Sequence, residues 1–243
     1  MPQFGVEHFT ALGAIALAAV VLVWAARTAR DENVIRRVTT TCGWLMLAIS
    51  AAWSVYWLLP GHFDLAQSLP LHFSDASRYL ASIALITRSG WSIAVLYYWG
   101  LTLNLQAVLT PDVNYLEIAW LELVMYWFLH GVVLIVPIVL TWGLRYAPTW
   151  RGYGVAYLAT VLWAAIAFTV NIVLGTDYGY LNGAPEGTSL LDVLGPWPWY
   201  LLSEAVAVAV VWALITLPWQ TRARRDRSYA LGRGLVRRMP VGA

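Results

Sequence analysis

Residues 116–142 read LEIAWLELVMYWFLHGVVLIVPIVLTW, a run of 27 in which Glu117, Glu122 and His130 are the only acidic or basic side chains. A helix needs about 20 apolar residues to cross about 30 Å of hydrocarbon. This run is long enough to do so and either to tilt or to project beyond one surface. It is too continuous for a strand of a membrane barrel, whose segments are short and alternate in polarity. Working outward, similar runs occupy about 91–109 and 153–175, then 41–59, 9–26 and 197–219. A seventh, at 70–87, is interrupted by His72, Asp75 and Arg78. The expected fold class is all-α. It is a polytopic bundle of seven transmembrane helices over 1–219, with a basic tail at 220–243.

Composition points the same way. The chain of 243 residues is 60% hydrophobic and 12% charged, against about 25% charged in a soluble domain. Its mean hydropathy is +0.64. A soluble enzyme, a disordered chain and a disulfide scaffold are excluded. All 15 basic residues are arginine. The absence of lysine beside abundant Ala, Val and Leu reads as the coding bias of a GC-rich bacterium. The single cysteine, Cys42, has no partner for an internal disulfide. The run near 10–26 lacks the basic start and cleavage site of a removed signal peptide.

The arginines set an expected orientation. Arg27, Arg30, Arg36 and Arg37 lie between runs one and two, Arg88 between three and four, and Arg145 and Arg151 between five and six. Seven more follow the last run, so 14 of the 15 fall on alternate segments. The positive-inside rule then puts the N-terminus outside and the C-terminus in the cytoplasm. A bacterial plasma membrane is the expected location. The tail would be drawn to anionic headgroups, and no nucleic-acid role is expected. The long segment 176–196 is expected to fold over the outer face.

Ionisable groups in hydrocarbon cost at least about 2.5–3.5 kcal/mol each on insertion scales, so each needs a reason. Asp75 and Arg78 are three apart and can pair on one helix face. His72 shares that face, whereas Ser74 points about 100° away from Asp75. Glu122, Tyr126 and His130 follow one stripe at steps of four. Tyr97, Tyr98, Asn104 and Gln106 lie on the fourth run; Asn171, Asp177 and Tyr178 lie on or beyond the sixth. Together these could line one polar chamber. The four histidines, His8, His62, His72 and His130, do not form an i,i+4 zinc pair. No metal and no other cofactor is expected.

Four stretches resemble the YwaF-type family of bacterial integral membrane proteins: LPLHFSD at 69–75, YYWGLTLNLQAVLTPD at 97–112, GTDYGYL at 175–181 and SLLDVLGPWPWYLL at 189–202. That family is similar to a eukaryotic transmembrane acyltransferase of ether phospholipids and, more distantly, to intramembrane hydrolases of fatty-acid esters. The resemblance implies a nucleophile at Ser74 and a histidine base at His130. The family pattern reads His-x-Cys-Asp where this chain has serine, and commonly has asparagine at Asp177. It implies a membrane lipid acyltransferase or acyl-ester hydrolase, with a phospholipid as acyl donor. His72, Asp75, Asn104, Gln106, Tyr126, Asn171, Asp177 and Tyr178 would contact substrate. The same chamber fits a non-catalytic lipid- or small-molecule-binding protein of a cell-envelope assembly, or, less well, a transporter.

Overall fold

The computed structural model describes residues 4–111, 118–183 and 193–220. The expected tail therefore lies almost wholly outside the described residues, as does the middle of the 176–196 segment. Seven principal helices follow in chain order: α1 Val6–Thr28, α2 Glu32–Leu58, α3 Phe73–Thr87, α4 Gly90–Leu109, α5 Ala119–Gly143, α6 Trp150–Leu174 and α7 Trp199–Trp219. All but α3 are long and apolar enough to cross a membrane. The chain is a multi-pass helical membrane protein, and six of its described helices reach crossing length on their own.

The exception has a local cause. His72 is extended and caps α3, and its backbone N–H donates to the Asp75 carboxylate at 3.1 Å. The helix therefore begins at Phe73, later than the expected residue 70. Arg88 ends it in a left-handed conformation at φ 49°. The 15 residues between span about 22 Å at 1.5 Å each, short of the hydrocarbon thickness. The second run differs in the opposite sense. Asp31 accepts from the backbone N–H groups of Asn33 and Val34 at 2.8 and 3.4 Å. This N-cap starts α2 at Glu32, so Arg36 and Arg37 lie on the helix and not in a loop.

α2 and α3 run antiparallel and pack closely. A Cβ on Gly43 would meet Leu85 and Ile86 at 2.7–2.9 Å. At the far end, Arg88 Nη1 donates to the carbonyl of Arg36 at 3.2 Å and to the hydroxyls of Thr39 and Thr40 at 2.8 and 3.1 Å. The end of α3 has thus returned to the level at which α2 began.

α4 is the central helix: 61% of its apolar window is buried, against 6% for α1. Tyr98 bonds Thr216 of α7 at 2.6 Å, Trp99 Nε1 donates to Thr160 of α6 at 2.8 Å, and Trp212 Nε1 of α7 donates to Thr102 at 2.8 Å. His8 joins α1 to this core. Its Nδ1 accepts from the Phe4 backbone and its Nε2 donates to the Val108 carbonyl, both at 3.0 Å. Large side chains turned outward, such as Val20, Trp24, Leu158, Ile166 and Leu214, suit a lipid solvent.

Two helices carry a π-turn, Trp99–Leu103 in α4 and Val139–Gly143 in α5. Pro137 lies two residues before the second. Lacking an N–H, it leaves the Val133 carbonyl without its ladder donor. Gly100 of α4 packs against that carbonyl. A Cβ there would stand 2.4 Å from Val133 O and 2.8 Å from Pro137 Cγ. Overpacking a tight site costs about 1–3 kcal/mol, and here one obstacle is backbone. Gly100→Ala should lower the melting temperature in detergent clearly, whereas Gly13→Ala, with open space around its Cβ, should leave it unchanged. Equal melting curves for the two variants would refute the close α4–α5 contact.

Candidate functional site

Between α2 and α7 the bundle encloses a cavity of about 1510 Å³, above the roughly 300–1,000 Å³ of most small-molecule pockets. Its wall is mixed in character. Ser74, Asp75, Asn104, Glu122, Tyr126 and His130 line it from α3, α4 and α5. From α6 and α7 come the apolar Val161, Ala164, Phe168, Leu201, Ala205 and Val208 together with Tyr157, Thr160 and Glu204. A cavity lined by both polar and apolar side chains suits an amphiphile.

The polar part of the wall is built from three helices and one loop. Asp75 and Arg78 pair at 2.8 Å with both side chains buried. Arg78 Nη2 donates to Ser54 of α2 at 2.7 Å, Ser54 bonds the Tyr79 hydroxyl at 2.8 Å, and that hydroxyl reaches the Ser50 carbonyl at 3.3 Å. The pair is thereby tied across α2 and α3. Ser74 is the residue just before Asp75. It is half-buried on the cavity wall and makes no side-chain hydrogen bond among the described residues.

His130 projects from α5 into the same cavity. Its Nδ1 lies 2.9 Å from the Tyr126 carbonyl. A carbonyl only accepts, so Nδ1 carries the proton and Nε2 the lone pair. The Tyr126 ring packs on the imidazole at 4.2 Å between centroids, and the Tyr126 hydroxyl donates to Ala107 of α4 at 2.6 Å. Asn104 Nδ2 donates to the His130 carbonyl at 3.1 Å. Its Oδ1 and the Nε2 of His72 are buried without a hydrogen-bond partner. Buried polar atoms left without partners beside a cavity are rare and point to a polar ligand.

The structure separates the expected contact residues into two groups. Ser74, His130, His72, Asp75, Asn104, Gln106, Tyr126 and Asp177 line one cavity. Asn171 and Tyr178 do not. Asn171 is spent on the turn after α6: its Oδ1 accepts from Thr176 at 3.0 Å and from the Tyr178 backbone at 2.8 Å, and its Nδ2 donates to the Tyr178 carbonyl at 3.0 Å. Tyr178 is fully buried, with its hydroxyl donating to the Leu65 carbonyl and accepting from Leu69 N–H. Burial pushes its phenol above the usual range. Both residues hold the loop before α3 in place. Tyr97 and Tyr98 likewise belong to the α4–α7 contact.

Sequence reasoning missed Glu204. It lies on α7 at the cavity wall. It is the only acidic residue between Trp199 and Trp219. An ionisable group inside an apolar run was the signal for it.

The Asp75–Arg78 pair should behave as a unit. Removing one member of a buried pair costs about 3–5 kcal/mol, since the other charge is stranded. Asp75→Ala should lower thermal stability more than Asp75→Ala combined with Arg78→Ala. Additive losses in this cycle would show that the two are not coupled.

Among the curated proteins and the solved structures, nothing matches this chain. A family model does, over residues 3–216, from the first helix almost to the end of the last. That match includes every side chain on the cavity wall, and the chain belongs to the TMEM164 family.

Proposed function

We propose that the protein is a lipid acyltransferase or acyl-ester hydrolase of the bacterial plasma membrane, with Ser74 as nucleophile and His130 as base. The observation that carries this reading is that both side chains line one large cavity with both polar and apolar residues on its wall. His130 Nε2 holds the lone pair that a base needs, because Nδ1 is committed to Tyr126. It takes the Ser74 proton as Oγ bonds the ester carbonyl carbon of a donor phospholipid. It returns that proton to the leaving alcohol oxygen as the ester C–O bond breaks. An acyl-serine remains, and an acceptor hydroxyl or water attacks it, with His130 again relaying the proton. Arg78 and His72 stand beside Ser74 and supply polarity at the reacting carbonyl, while the acyl chain lies along the apolar side chains of α6 and α7.

One observation favours a second reading, a lipid-binding protein without turnover: no hydrogen bond joins Ser74 to His130 or to any other base among the described residues. Variants separate the two. In liposomes holding ester phospholipid and lysolipid, Ser74→Cys should keep or raise acyl transfer, because a thiol is the better nucleophile. Ser74→Ala and His130→Ala should each abolish it with folding intact. Intact lipid co-purifying with the wild type, and no acyl product from any of these proteins, would establish the binding reading.

The proposed topology has seven crossings, N-terminus outside and C-terminus in the cytoplasm, with residues 220–243 as a cytoplasmic tail. In it α3 and the segment 59–72 together make the third crossing. Support comes from the antiparallel α2–α3 pair and the bonds that set Arg88 beside Arg36, Thr39 and Thr40, which keep the arginines on one side. A C-terminal fluorescent reporter that matures only in the cytoplasm should light up. A dark fusion together with an active periplasmic reporter would reverse the orientation.

A further inference from the structure

At the arginine-bearing end of α2 and α3 lies a second, smaller pocket of about 440 Å³, lined by Arg36, Arg37, Thr40, Thr41, Ile86 and Arg88. We propose that this pocket binds the phosphate of an anionic phospholipid headgroup, at a site separate from the large cavity.

The pocket is built rather than incidental. The close approach at Gly43 locks α2 against α3 one turn away. Arg88 closes α3 in a left-handed conformation, where glycine is the usual occupant. Its side chain is held by the Arg36 carbonyl and by Thr39 and Thr40. Arg36 is steadied by Asn33, to which its Nη2 donates at 3.2 Å. Three arginines and two threonines line this one small space, and no carboxylate is among its lining residues. Basic and hydroxyl donors so grouped favour an anion. Arg37 and Thr41 make no side-chain hydrogen bond among the described residues. They lie four apart on one face of α2, where a forked donor and a hydroxyl can hold two oxygens of a phosphate.

The surroundings identify the source of that phosphate. Trp44 lies three residues beyond Thr41 on the same stripe, and Val38, Trp44 and Leu45 are all more than half exposed. The pocket therefore opens beside a surface that meets acyl chains, with a tryptophan at the boundary as in an interfacial belt. A basic pocket between membrane helices with an apolar flank suits a lipid headgroup. A soluble phosphate would leave that flank without a role.

The test is native mass spectrometry of protein released from nanodiscs with phosphatidylcholine in excess over phosphatidylglycerol. Wild type should retain phosphatidylglycerol preferentially. Arg37→Gln with Thr41→Val should lower that retention by about fivefold or more, the factor expected for one basic contact near an anionic surface. Arg30→Gln removes the same charge outside the pocket and should leave retention as in wild type. An equal fall in both variants would reduce the effect to diffuse surface charge and overturn the site. Inorganic phosphate at millimolar concentration should fail to displace the lipid. Displacement by phosphate alone would overturn the lipid as occupant in favour of the free anion.

Discussion

A buried charged pair sets the terms for the rest of this fold. Asp75 and Arg78 each need a partner to be tolerated in the interior, and each has more than one. The carboxylate accepts from the N–H that opens α3 and pairs with the guanidinium one turn on. The guanidinium reaches across to Ser54 of α2. One interaction therefore decides where α3 begins, fixes its rotation about its own axis, and fastens it to α2. The Ser74 side chain makes no hydrogen bond of its own among the described residues. Its place on the cavity wall follows from its neighbour's.

The polar groups around the cavity divide between building and exposure. Asn171, Tyr178, Trp163 and Gly179 build. Trp163 Nε1 donates to the Leu71 carbonyl at 3.2 Å, and its ring packs so close to Gly179, at φ 73°, that a Cβ there would stand 2.5 Å away. These contacts press the segment before α3 inward, so that His72 meets the Tyr178 ring at 4.9 Å. The residues left on the cavity wall carry unsatisfied groups: the Ser74 side chain makes no hydrogen bond among the described residues, and His72 Nε2 and Asn104 Oδ1 are buried without a partner. Buried polar groups without partners are rare in folded proteins, and here three of them, His72 Nε2, Arg78 Nε and Asn104 Oδ1, belong to residues lining one cavity.

Much of this was legible in the sequence. The long apolar runs gave the helices because period and length survive any tertiary context. Charges set within apolar sequence at Asp75, Arg78 and Glu122 marked the helix faces turned inward. Asn171 lies off the cavity wall, and from sequence an asparagine near a helix end looks the same whether it caps a turn or meets a ligand. Only the three bonds it makes to Thr176 and Tyr178 distinguish the two. The extent of α3 was overestimated because Pro70 fits a first helical turn, while the residue that starts the helix, His72, is not among the usual caps. The reach of α2 back to Glu32 was hidden by arginines, which suit a loop and a helix end equally well.

The π-turn in α4 has a consequence for helix phase. An α-helix advances 100° per residue, and the wider turn at Trp99–Leu103 accommodates one residue more than the α-spiral would. Every side chain after it is therefore rotated by about one residue's angle from where the first half of α4 would have aimed it. Before the turn, Tyr98 faces α7; after it, Asn104 faces the His130 carbonyl and the cavity. The two halves of one helix thus serve two different neighbours. Losing a single residue from the turn would swing Asn104 and Gln106 off the cavity wall without shortening the hydrophobic run by more than about 1.5 Å. The reading frame of the site is stored in that one widened turn.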